Sequence, residues 1–332
     1  MTATADPILD VAGLTVEYGT DRPSRAVDDI SFRLHRGEIL GVAGESGSGK
    51  STLMTAVTRL ERPPARIVAG SVRYHPRDGE PVDLLAAPNR QLRELRWDRL
   101  AVVFQSAMTA LNPVMRVGAQ FVDVLRAHRR ISRKEAWQRA AELLEMVGIP
   151  GDRARNYPHE FSGGMRQRAA IALALACDPE IIVMDEPTTA VDVVMQRQIL
   201  GRLQELQAQF GFAIVFITHD LSLLVELADR IMIMYSGRVV ETGAATTIYR
   251  DPLHPYTLGL RDSSPSLHGR PRTVRAIGGS APDLWDLPKG CAFHPRCPRR
   301  TDGCDTVRPP LLTVGGHGTA CLLTGPATQE QS

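Results

Sequence analysis

Lysine is nearly missing from this chain. Of its 39 basic residues only Lys50, Lys134 and Lys289 are lysines and the other thirty-six are arginines, an excess that reads as a composition bias and implies no partner. Net charge is equally slight, +2 with a pI near 8.3, so no strong field points to nucleic acid. No run approaches the roughly eighteen apolar residues that a membrane-spanning helix requires. The first ten residues, MTATADPILD, have neither the basic region nor the apolar core of a secretory signal. A cytoplasmic chain with reduced thiols is therefore expected, which makes disulfides the wrong first reading of its five cysteines. There is no internal repeat. At 332 residues the chain can hold one large domain with an ample core and a smaller one.

The richest local signal is GESGSGKST, Gly44 to Thr52. It fits the phosphate-loop pattern of Gly, four residues, then Gly-Lys-Ser. A short apolar strand is expected before it, from Glu38 to Ala43, and a helix after it, from Ser51 to Leu60. Gly44, Gly47 and Gly49, with Ser46 and Ser48 between them, let successive backbone N–H groups curl around phosphate oxygens, and the helix adds the positive end of its dipole. Lys50 supplies a point charge for the outer phosphates, while the Ser51 hydroxyl is suited to Mg²⁺.

Residues 8–43 read as β-rich, with strands over Ile8 to Tyr18 and Ile30 to Leu34, and further strands are expected at Gly70 to Tyr74 and around Val82 to Leu84. Ala101 to Phe104 forms a short apolar strand ending at Gln105. The region 106–160 then turns helical: Val117 to Arg129 has apolar residues at helical spacing, and a second helix starts at Ser132 with Glu135 in capping-box position and stops at Gly148. From Met165 onward helices alternate with fully apolar strands: helix to Cys177, strand Glu180 to Met184, helix Val193 to Phe210, strand Phe212 to Thr218, helix Leu221 to Ala228, strand Ile231 to Tyr235. Such alternation implies an α/β fold with a parallel sheet covered on both faces, binding ligands at the carboxyl ends of its strands. Gly44, Gln105, Asp185 and His219 all fall at such ends. Beyond about residue 250 the composition shifts to Pro, Gly, Arg and Cys, so 1–250 and 251–332 are expected to be separate domains.

Several residues at those strand ends carry chemistry. The apolar run Ile181 to Met184 ends in Asp185 and Glu186. Successive strand residues face opposite ways, so Asp185 can approach Mg²⁺ while Glu186 orients a water as general base. His219 is a candidate for contact with the γ-phosphate and the attacking water, and Gln105 for Mg²⁺ or that water. Phe161-Ser-Gly-Gly-Met165 enters a helix, with Ser162 as N-cap and Gly163 and Gly164 admitting an anion. One nucleotide does not need two phosphate-facing helix ends from one chain; a dimer in which each copy completes the other's site does.

These five motifs, in this order and spacing, resemble the ATP-binding subunit of an ABC transporter over residues 8 to about 250. The resemblance implies a P-loop NTPase cassette with a RecA-like parallel sheet core, an antiparallel β subdomain and a helical signature subdomain at about 106–164. It further implies that Tyr18 stacks on adenine, that Ser162, Gly163 and Gly164 reach ATP held by a partner chain, and that Asp192 lies in the loop linking the two sites. Two departures stand out: the signature reads FSGGM where the family has LSGGQ, and the linking loop has AVD where the family has ALD. The runs from Phe104 to Val114, SGGMRQR and Ile248 to Thr257 are similar to dipeptide/oligopeptide importer ATPases, a group that includes nickel and glutathione importers. The implied partners are a second ATPase subunit, two membrane permease subunits and, indirectly, a solute-binding protein, at the cytoplasmic face of the membrane and without nucleic acid. A soluble ABC ATPase acting on nucleic acid is the rival from another class, though it usually carries two cassettes or a long coiled coil. A redox-regulatory module is a second rival, and intact Glu186 and His219 argue against it.

Cys291, Cys297, Cys304 and Cys321 fall within 31 residues, spaced C-x5-C-x6-C-x16-C, while the other 301 residues hold only Cys177. This spacing is wider than zinc-ribbon knuckles and matches no common ferredoxin run, so zinc and iron–sulfur both stay open, with His294 as a substitute ligand. The tail resembles the C-terminal region of peptide-importer ATPases, which implies a [4Fe–4S] cluster, first as a structural staple for a segment with little core. Cys177, in an Ala/Leu-rich helix, reads as a small buried hydrophobe.

Overall fold

The structure, a computed structural model, describes residues 6–105, 111–188, 192–263 and 276–324. These residues group into two compact units: 6–8, 34–37, 74–105, 111–188 and 192–215 form the first, and 9–33, 38–73, 216–263 and 276–324 the second.

In the second unit β1 (Pro7–Tyr18), β2 (Ser24–His35) and β4 (Ala65–Tyr74) are sheet neighbours in the order β2-β1-β4. A second sheet is centred on β3 (Ile39–Ala43), whose five residues are all buried, as expected of a strand covered on both faces. It pairs in parallel with β9 (Arg230–Tyr235), Val42 opposite Met232. Beyond β9 the sheet runs antiparallel through β10 (Arg238–Ala244) and β12 (His317–Thr319) to β11 (Leu312–Val314). Helix α1 (Lys50–Val57) follows β3, and α7 (Leu221–Leu227) packs so close that a Cβ on Gly41 would lie 2.9 Å from a Leu224 methyl. Two short helices, α8 (Ala245–Arg250) and α9 (Pro255–Asp262), lead towards the tail.

In the first unit β6 (Leu100–Val103) and β7 (Ile181–Asp185) pair in parallel, Val103 opposite Met184. The helices are α2 (Asn89–Leu95), α3 (Val117–His128), α4 (Arg133–Met146), α5 (Gly163–Ala174) and α6 (Val193–Phe210), with β5 (Val82–Asp83) near the start. Phe121, Leu125, Leu143 and Leu144 are buried at helical spacing on α3 and α4. The capping box is present: Ser132 accepts from the Glu135 N–H while Glu135 accepts from the Ser132 N–H. Strand β8 (Ala213–Thr218), buried throughout, carries the chain from the first unit into the second.

The expected elements occur at their expected places, with β2 and β4 starting five or six residues earlier, and the additions are the helices α2, α8 and α9 and the strands β10, β11 and β12. The tail strands are too short for a periodic pattern to announce them: β11 is only Leu-Thr-Val, all exposed, and β12 only His-Gly-Thr. They are held by the pairing of β12 with β10 and of β11 with β12, and by a polar hub. Glu241 of β10 is fully buried and accepts from the backbone of Leu253 and His254, with His317 Nε2 2.8 Å away. A carboxylate with no exposure is stable there only because these groups surround it.

Candidate functional site

The phosphate loop begins where β3 ends and closes on α1. Gly49 adopts φ +100°, and a Cβ there would stand 2.0 Å from the Ala26 carbonyl oxygen, so only glycine fits this approach. The Leu53 N–H donates to Gly49 O at 2.8 Å, the first bond of the helix. Lys50 is buried, and its ammonium donates to the carbonyls of Gly44 and Glu45 at 2.7 and 2.8 Å and lies 3.3 Å from Ser48 Oγ. Ser46, Gly47 and Ser51 are exposed around it, and Gly47 has open space where a side chain would be. Tyr18 Oη is 3.2 Å from Thr52 Oγ1, which sets the half-buried Tyr18 ring beside the start of α1.

Nothing in the local residue pattern reveals what grips the second residue of this loop. Glu45 donates its N–H to Tyr256 Oη at 2.7 Å, and its carboxylate receives both guanidinium nitrogens of Arg296 at 2.6 and 3.0 Å. Tyr256 and Arg296 are 211 and 251 residues away along the chain, so no local pattern could reveal them.

In the second unit His219 stands exposed just past the end of β8, and the next residue, Asp220, caps α7 by accepting from the N–H groups of Ser222 and Leu223. In the first unit, Gln105 and Glu186 follow the adjacent parallel strands β6 and β7. Their side chains meet, Gln105 Nε2 donating to Glu186 Oε2 at 2.9 Å. Asp185 is the last residue of β7 and only 5% exposed, whereas Glu186 leaves the strand with φ +44°. Glu186 thus lies in the left-handed region and does not continue the strand's alternation.

The Phe161–Met165 turn also belongs to the first unit. Ser162 caps α5, its Oγ accepting from the Met165 N–H at 3.3 Å. Gly164 is buried against α6: a Cβ there would lie 2.9 Å from the Met195 side chain. Asp192 caps α6 by accepting from the Met195 N–H at 2.9 Å. The rest of the linking loop, residues 189–191, lies outside the described residues, as do 106–110 after Gln105.

In the tail, Cys291, Cys297, Cys304 and Cys321 line one cavity together with His254, Phe293 and His294. The Cys291 N–H donates to Cys304 O at 2.8 Å, which draws the first and third cysteines together. His294 turns its ring Nδ1 to the Cys291 carbonyl at 3.0 Å. All four thiols are free of disulfides. Burial pushes the Cys291 and Cys297 thiols up, and the neighbouring cysteines push them further. Among the described residues no three His, Cys, Asp or Glu side chains form a group able to hold a metal ion. Cys177 is fully buried, and burial raises its thiol to about 11, in keeping with a packing role.

Residues 27–189 match the ABC transporter family model, and residues 240–304 match that of the oligopeptide/dipeptide transporter C-terminal region. The chain is 44% identical over 321 residues to the oligopeptide transport ATP-binding protein OppD of Escherichia coli, covering 96% of this chain and 94% of that one. It is 42% identical over 317 residues to the dipeptide transport ATP-binding protein DppD of Haemophilus influenzae, at 95% and 94% coverage. Among solved structures, the dimeric ATP-binding cassette MJ0796 in a post-hydrolysis state with ADP and Pi superposes with a TM-score of 0.64 at 28% identity, over 71% of this chain and 98% of that one.

Proposed function

The chain belongs to the ABC transporter ATPases whose C-terminal region is of the oligopeptide/dipeptide type, and from that premise we propose that it powers the import of di- or oligopeptides through membrane subunits. It is an ATPase. The observation that carries the peptide reading is similarity to OppD and DppD that runs through the tail as well as the cassette. No helix among the described residues is long and apolar enough to cross a membrane, which fits a subunit that acts through permease partners at the cytoplasmic face.

In this reading two such chains close on two ATP molecules, the phosphate loop of one meeting Ser162, Gly163 and Gly164 of the other. The loop N–H groups, with Gly44, Ser46, Gly47, Ser48 and Gly49 shaping the turn, take the phosphates, and Tyr18 takes the adenine. Lys50 exchanges its loop carbonyls for the β- and γ-phosphates. Ser51, Gln105 and Asp185 would hold Mg²⁺, which supplies charge neutralisation at the transferring phosphoryl. Glu186 accepts the proton of the attacking water, and His219 holds the γ-phosphate end of the site. The Gln105–Glu186 bond keeps the base aimed before nucleotide arrives.

For the tail, we infer that Cys291, Cys297, Cys304 and Cys321 hold a [4Fe–4S] cluster. What supports this reading is that the four thiols line one cavity in a tail whose residues 240–304 match the C-terminal region of oligopeptide/dipeptide transporters; zinc is the alternative. The cluster would staple a segment poor in core.

The test is to purify the complex from its own membranes, identify its polypeptides, and record visible absorption and metal content. Permease subunits together with a peptide-binding protein support the reading. Co-purification with DNA or ribosomes would replace it with a soluble nucleic-acid-linked ATPase, and zinc in place of iron and sulfide would overturn the cluster.

A further inference from the structure

The phosphate loop is held from outside the cassette motifs at Ser48, whose carbonyl accepts from the Gly237 N–H at 3.0 Å, and most fully at Glu45. All three of its polar groups are engaged. Its N–H donates to Tyr256 Oη, its carbonyl accepts from Lys50 Nζ at 2.8 Å and from the Ser48 N–H at 3.2 Å, and its carboxylate is gripped by Arg296. The peptide planes that aim the following N–H groups are thereby set from Glu45.

Arg296 is built for that grip. It lies in the turn between Cys291 and Cys297, and its side chain is 5% exposed against 29% for Glu45. It donates to the carboxylate through both terminal nitrogens, to Gly278 O through Nε at 2.8 Å, and to Tyr235 Oη at 3.2 Å. The guanidinium also sits 5.9 Å from the ring centres of Tyr235 and Phe293. A bidentate guanidinium–carboxylate pair fixes direction as well as distance, and one so desolvated resists rearrangement.

We infer that Arg296 is a positioning residue for nucleotide binding: the cysteine-rich tail sets the shape of the phosphate loop through the Arg296–Glu45 pair. This deepens the ATPase reading and rests on it. The rival account is that the pair only anchors the tail to the rest of its unit, in which case nucleotide affinity does not depend on it.

The experiment is fluorescence titration of the purified full-length chain with mant-ADP and Mg²⁺, for wild type, Arg296→Met, Arg296→Lys, Glu45→Gln and the double variant Arg296→Met/Glu45→Gln, with circular dichroism as folding control. Each neutralising single variant is expected to weaken binding about tenfold, within the usual range of site-to-site coupling. The double variant is expected to be no weaker than either, because one interaction is lost in all three. Arg296→Lys, which keeps the charge but not the two-nitrogen fork, recovers only part of the affinity. Should Arg296→Met fail to fold, the near-isosteric Glu45→Gln decides alone. Wild-type affinity in Glu45→Gln overturns the inference, as do additive losses in the double variant. Failure of the wild-type chain to bind mant-ADP would instead sink the nucleotide reading itself.

Discussion

Glu186 is the residue on which turnover is expected to depend. Glu186→Gln keeps the hydrogen-bond partner of Gln105 but removes the base, so Mg·ATP binding should persist while hydrolysis falls about 10²- to 10⁴-fold. A steady-state assay beside a binding titration checks this, and substantial turnover in the variant rejects the assignment. Glu180 carries a different kind of prediction, about acid stability. Burial alone would raise its carboxyl, but bonds from Arg36 at 2.9 Å and Arg99 at 2.7 Å outweigh burial and hold it below the ordinary carboxylate range. A depressed carboxyl adds stability that is full above its unfolded value, about 4.3, and is lost as pH falls through the folded value. Wild type should therefore be clearly more stable than Glu180→Gln at pH 7. The gap between their denaturant midpoints should narrow below about pH 4; a constant gap would show that the ion pair is not its source.

At the scale of elements, the turns that start helices matter more than the helices themselves. Gly49→Ala would place a methyl against the Ala26 carbonyl at a φ of +100°, and strain of about 1–3 kcal/mol is expected to distort the loop. Nucleotide binding should drop sharply in that variant while far-UV dichroism stays unchanged. Asp220→Ala removes a cap that satisfies two N–H groups at the start of α7, and about 1 kcal/mol of stability should go with it, read from urea unfolding. Because α7 follows directly on His219, a loss of ATPase larger than the loss of stability would tie that cap to the histidine's placement.

For the whole molecule, the proposed dimer makes a concentration prediction. Specific ATPase activity should fall on dilution, and replacing Gly163 with a bulky residue such as Trp should abolish it while leaving mant-ADP binding to the isolated chain intact. Full activity in a dilute monomer would refute the shared site. The paired resemblance of cassette and tail to OppD and DppD predicts that activity in the assembled complex rises when a loaded peptide-binding protein is added.

Much of this protein was legible in its residues taken in order. The phosphate loop, the Asp185–Glu186 strand end, the Ser162 turn and the α3–α4 pair are local patterns, and local backbone sterics and hydrophobic periodicity decide them within a window of about ten residues. The same holds for the capping box at Ser132. What the chain order could not disclose is whatever joins distant segments. The tail strand β12 exists because β10 offers it an edge, and β11 because β12 then offers one, not because of their own composition. Glu241 is tolerated in the core because His254 and His317 converge on it, and Glu45 is held by Tyr256 and Arg296 more than two hundred residues away. Short-range patterning chose the parts and their chemistry, whereas the pairing of buried charges and unpaired strand edges, which depends on position in space alone, could be settled only by folding.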